Sequence, residues 1–146
     1  MKRNVLFFVL FIGFVFSVFG QNISDFHYIE LNGGIIITGY RGSVRDVVIP
    51  ERINGLPVIA IGVEAFSPHQ ETSKVQLTSV ILPNSIVYIG ELAFEDNQLT
   101  SIILPNSLLA IGEAAFEGNP LTSVVAPNSF VNLDFAFDSN VRIIRR

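Results

Sequence analysis

The chain has 146 residues, enough for one domain, with no cysteine and a formal net charge of −4. The missing cysteines exclude a disulfide framework and a lipid-modified N-terminal cysteine. The acidic balance excludes the basic patch that nucleic-acid binding requires.

The chain opens with Lys2 and Arg3, followed by the uncharged run Val5 to Phe19, then Gly20 and the polar pair Gln21-Asn22. A basic start, an apolar stretch and a small residue at the boundary form the layout of a secretory signal peptide. Cleavage is expected after Gly20, with Val18 at the −3 position. The competing reading is an uncleaved anchor, but 15 residues fall short of the roughly 20 that span a bilayer. No membrane contact is expected beyond this segment. Residues 1–20 are therefore assigned as a signal peptide. Beyond them, 7 Lys plus Arg stand against 13 Asp plus Glu, a net −6.

Residues 21–43 predict a β-hairpin cap. Two alternating runs within "DFHYIELNGGIIITGYRG" flank Asn32-Gly33, a strong tight-turn signal. Residues 44–146 predict a repeat array of about four coils. "LTSVILPNSIVYIGELAFEDNQ" (Leu77 to Gln98) is followed directly by "LTSIILPNSLLAIGEAAFEGNP" (Leu99 to Pro120), with 15 of 22 positions identical. Leu77, Leu99 and Leu121 keep the 22-residue step, as do Pro83, Pro105 and Pro127. An earlier copy, "VVIPERINGLPVIAIGVEAF" (Val47 to Phe66), carries five extra residues including the turn signal Asn54-Gly55. The linker "SPHQETSKVQ" then leads to Leu77, and a fifth copy begins as "VRII", Val141 to Ile144.

A period near 22 predicts a β-rich solenoid, because one unit cannot bury its apolar face alone and stacked units share one core. "SVIL" and "SIIL" read as short strands ended by Pro, which cannot donate to a ladder. "IVYIG" and "LLAIG" read as second strands, and "ELAFE" and "EAAFE" as one helical turn. Alternation sends Leu77, Val80, Leu82, Ile86, Ile89, Ala93 and Phe94 inward. It sends Thr78, Ser79, Ile81, Asn84, Val87, Tyr88 and Glu91 outward. Phe66, Phe94, Phe116 and Phe137 are predicted to stack as an aromatic spine, and Asn97, Asn119 and Asn140 to satisfy backbone groups at one corner.

The segments "LTSVILPNSIVYIGELAF", "LTSIILPNSLLAIGEAAF" and "VVIPERINGLPVIAIGVEAF" resemble the BspA-like, Treponema-type leucine-rich repeat family, over roughly Ser43 to Asn140. The resemblance implies a β-rich leucine-rich-repeat solenoid with an N-terminal hairpin cap. It also implies a secreted or surface protein of adhesion and host-protein binding. Many repeats of the family carry Cys where this chain has Asn97, Asn119 and Asn140, so any cysteine-dependent feature is absent. No binding residue of the family maps onto a position here.

No catalytic constellation is expected. His27 and His69 are the only histidines, without HExxH or cysteine, so neither a metal site nor a cofactor is predicted. No GxSxG element is present, and Ser79, Ser101 and Ser123 recur because the repeat recurs. The candidate binding residues are Val48, Ile81, Ile103 and Val125, one outward position in four successive coils, together with Tyr88 and Leu92, which vary between copies. Val87, Leu109 and Val131 form a second outward stripe. The competing explanation for both stripes is β-propensity alone. The expected function is protein binding by an exported scaffold, in the periplasm, at the cell surface or in the medium, with a host or surface protein as partner or with self-association. The alternative is a structural or truncated remnant of a longer array.

Overall fold

The computed structural model describes residues 22–130 and 133–146; the expected signal peptide of residues 1–20, Gln21 and Val131-Asn132 lie outside these. The described chain is rich in strands. A capped 3-10 turn, Ile23–Asp25, precedes β1 (Phe26–Leu31) and β2 (Gly34–Tyr40), which pair antiparallel. Asn32 and Gly33 between them have φ of 51° and 78°, the left-handed pair that this two-residue turn demands. Asn54 and Gly55, at 51° and 82°, make the same turn between β4 (Arg52–Ile53) and β5 (Leu56–Ile61). The five-residue insertion is thus a second, smaller hairpin.

Each copy then contributes two strand positions. The first holds β3 (Asp46–Val48), β6 (Ser79–Ile81), β8 (Ile102–Ile103) and β10 (Ser123–Ala126), with β11 (Arg142–Arg145) following. β3 pairs parallel with β6, and β8, β10 and β11 pair parallel with one another. The second position holds β5, β7 (Tyr88–Ile89) and β9 (Ala110–Ile111), all parallel, and β2 joins this sheet alongside β5.

Among the described residues the third side of each coil forms no α-helix. Ala, Leu and Glu favour helix, but the N–H groups here alternate between two other partners. Those of Leu92, Phe94 and Asp96 donate to the carbonyls of Glu113, Ala115 and Glu117 in the next coil. Those of Ala93 and Glu95 close four-residue turns onto Gly90 and Leu92. Leu92 and Ala114 take φ of 55° and 51°, which no α-helix accommodates. The expected helical turn is therefore a tight-turn ladder, with one 3-10 turn at Asp134–Ala136 in the last full copy.

The core follows the predicted register. Leu77, Val80, Ile86, Ile89, Ala93 and Phe94 are buried, while Leu82 is only half-buried and packs on the core edge. The rings of Phe66, Phe94, Phe116 and Phe137 stack at 5.0, 5.0 and 5.1 Å, within 10° of parallel. Tyr40 and Phe26 close the stack against Phe66 at the hairpin end. Gly90 and Gly112 let the coils approach: a Cβ at Gly112 would lie 2.2 Å from the Glu91 backbone nitrogen, and one at Gly90 2.6 Å from that of Val63.

Candidate functional site

The row predicted on the first strand side is present as two in-register sets. Val48 stands opposite Ile81, and Ile103 opposite Val125. Ile81 and Ile103 are 61% and 56% exposed, while Val48 and Val125 are half-buried. Alternation produces this contrast: Val80 and Ile102, one residue earlier, face the core.

The row also has a member that fixed-step counting missed. Ile144 stands opposite Val125 on β11, only 19 residues on. The fourth copy is one residue shorter up to Phe137, and two further residues are missing between Asn140 and Ile143. The signal was the "VRII" fragment itself, aligned by its apolar pattern rather than by a 22-residue step.

A polar line flanks the row and a gap interrupts it. On one side run Asp46, Ser79, Ser101, Ser123 and Arg142. Asp46 Oδ1 accepts from the hydroxyls of Thr78 (2.7 Å) and Ser79 (2.9 Å), and these bonds, Thr78 first, hold its carboxyl below the usual range. Within the row itself, between Ile81 and Ile103, β6 and β8 lie adjacent without ladder pairing, although β3–β6 and β8–β10 are paired. A cavity of about 390 Å³ opens there, lined by Ser79, Ile81, Asn84, Ser101, Ile103 and Arg146 among others. Arg146 lies at its rim and donates to the Leu104 carbonyl at 3.2 Å.

The fold does not bring Tyr88 and Leu92 to this row. Tyr88, 40% exposed, lies on β7 in the second sheet, between Ala60 and Ala110. Leu92 is half-buried on the turn side. On the second stripe, Val87 is half-buried, Leu109 exposed, and Val131 outside the described residues.

Residues 60–144, more than half of the chain, match the sequence profile described as the BspA type leucine rich repeat region, in six copies. No curated protein matches the sequence. Among solved structures, a leucine-rich repeat protein from T. pallidum is 21% identical, over 86% of this chain and 83% of that one, with a TM-score of 0.45. One from Bacteroides ovatus is also 21% identical over 86% of this chain, with a TM-score of 0.48; the match spans 37% of that protein. A leucine-rich cell surface protein from Faecalibacterium prausnitzii is 16% identical over 72% of this chain, with a TM-score of 0.32 and 54% of its own length covered.

Proposed function

This chain belongs to the BspA-type leucine-rich repeat family, a scaffold family, and on that premise we propose that it is an exported protein-binding solenoid without catalysis. Residues 1–20 direct export, the hairpin within residues 21–43 caps the array, and the coils of residues 44–146 present the binding face. The observation that carries the reading is the exposed apolar row Ile81–Ile103, continued by Val48, Val125 and Ile144. Contiguous exposed apolar area rimmed by polar groups marks interfaces more often than chance. Five side chains, with paired strands about 4.8 Å apart and an unpaired step between Ile81 and Ile103, make a row at least about 19 Å long. That is small beside the roughly 800 Å² per partner of a stable complex, so the contact is of modest affinity, with a surface protein or a second copy of the chain.

Replacing Ile81 and Ile103 together by Thr tests the face. Thr keeps the branched Cβ that strands favour and adds polarity. The midpoint of thermal unfolding is expected to stay within a few degrees, while partner capture or self-association, read by pull-down and light scattering, weakens about tenfold or more. A variant that folds and binds as before moves the interface to Tyr88 or Leu92, on the other sides of the coil.

Export has its own test, which rests on Lys2-Arg3 and the neutral run that follows. N-terminal sequencing of the natural protein is expected to begin at or near Gln21. Intact Met1 recovered with membranes would replace export by anchoring.

A further inference from the structure

In sequence, His69 and the pair Glu95-Asp96 are separated by more than one repeat. Stacking removes that separation. His69 lies three residues after Phe66, Glu95 and Asp96 directly follow Phe94, and the two rings stack at 5.0 Å. One ligand atom each from His69, Glu95 and Asp96 falls within 4.8 Å of the other two. His69 Nε2 is 2.7 Å from Asp96 Oδ2. Around them, the buried Ser67 hydroxyl accepts from the His69 backbone N–H and donates to Glu95 Oε2 at 3.5 Å.

We propose that His69, Glu95 and Asp96 form a binding site for a divalent transition-metal ion of the zinc(II) type, clamping the linker after Phe66 to the second coil. One imidazole nitrogen and two carboxylate oxygens supply three ligands and leave a fourth position for water. The nitrogen selects against calcium and magnesium, which take six or more oxygens. Tetrahedral ligands at about 2.0–2.2 Å from an ion stand roughly 3.4 Å apart. The His69–Asp96 contact is shorter than that because a proton bridges it, so the ion displaces this proton and moves the two atoms apart by less than about 1 Å. Both side chains can make that adjustment, being 66% and 46% exposed. The Ser67 hydroxyl orients Glu95 as an outer-shell partner. The site stands on the turn side of the coil and is independent of the apolar row.

Calorimetric titration of the untagged purified protein with zinc chloride is expected to show one ion per chain. His69→Gln and Asp96→Asn should each weaken binding at least tenfold, and His27→Gln should leave it unchanged. Cobalt(II) should give the visible absorption of a four-coordinate ion, lost in His69→Gln. The exposed position of His69 keeps that variant folded, which circular dichroism checks. Absence of saturable zinc binding, wild-type affinity in His69→Gln, or equal affinity for calcium would each overturn the assignment.

Discussion

Phe116→Ala is expected to lower the free energy of unfolding by about 3–5 kcal/mol, the cost of truncating a buried Phe whose cavity cannot collapse. The ring is fully buried and stacked on both faces, 5.0 Å from Phe94 and 5.1 Å from Phe137. Its neighbours cannot close the gap. The coils are held at fixed spacing by backbone bonds such as Phe94 N–H to Ala115 O and Phe116 N–H to Ala136 O. A domain of this size has about 5–15 kcal/mol in total, so the loss is a large fraction of it. In a nearest-neighbour array an interior substitution weakens two coil interfaces and a terminal one weakens one. Phe137→Ala, with one stacked face among these rings, should therefore cost less than Phe116→Ala. Phe135→Ala serves as the control, since that ring is 47% exposed, and its effect should stay within about 0.5 kcal/mol. Denaturant melts of the three variants give the order directly. Equal midpoints for Phe116→Ala and Phe135→Ala would mean that the stack does not hold the coils together.

The ring stack was legible because Phe66, Phe94, Phe116 and Phe137 sit at one phase of the repeat, and a repeated phase in stacked coils is a column in space. The same reasoning placed Ile81 outward and Val80 inward, since strand alternation needs no tertiary knowledge. It failed on the "ELAFE" segment because composition reports local propensity, whereas the N–H groups of Leu92 and Phe94 are claimed by the neighbouring coil. Non-local pairing overrode the preference for helix. Tyr88 and Leu92 were singled out because they vary between copies, and since the coil turns twice between Ile81 and Leu92 they stand on other sides of it from the apolar row. His69 and Asp96 were not legible as neighbours because His69 lies in a linker outside the repeat, where no phase can be counted. A contact between a linker and a coil requires the linker's path, which turns at Gln70 and Ser73 fix: the Gln70 N–H donates to Ser67 O and the Ser73 N–H to Gln70 O.

The corner asparagines lead to the second large effect. Asn97 is fully buried, and its Oδ1 accepts from the Leu77 N–H at 2.7 Å. Its Nδ2 donates to the carbonyls of Phe66, Phe94 and Glu95 at 2.9, 3.0 and 3.1 Å. One amide thus ties the second coil to the first and closes its own turn. Asn119 repeats the arrangement one coil on, with Leu99 N–H, Phe94 O and Phe116 O. Asn97→Ala leaves the Leu77 N–H and the Phe66 carbonyl without these bonds, whereas Phe94 O keeps the Asn119 amide. Each orphaned buried group costs about 1–3 kcal/mol, so the expected loss for the two is roughly 2–6 kcal/mol. Asn140, exposed at the corresponding corner, should tolerate Ala nearly without cost. Asn97→Asp separates the amide's donors from its size. The carboxylate can still accept from Leu77 N–H but faces three carbonyl oxygens in a buried site, which raises its folded-state pKa above the ordinary value of about 3.9. A raised carboxyl pKa means that ionisation opposes folding. The loss is therefore smallest below about pH 3.9, grows as pH rises toward the folded-state pKa, and is constant beyond it. Denaturant midpoints measured across that range should converge toward the parent protein in acid, where the protonated acid can donate one bond. A pH-independent difference between the two proteins would show that the donors of Asn97 contribute little and that its size alone holds the corner.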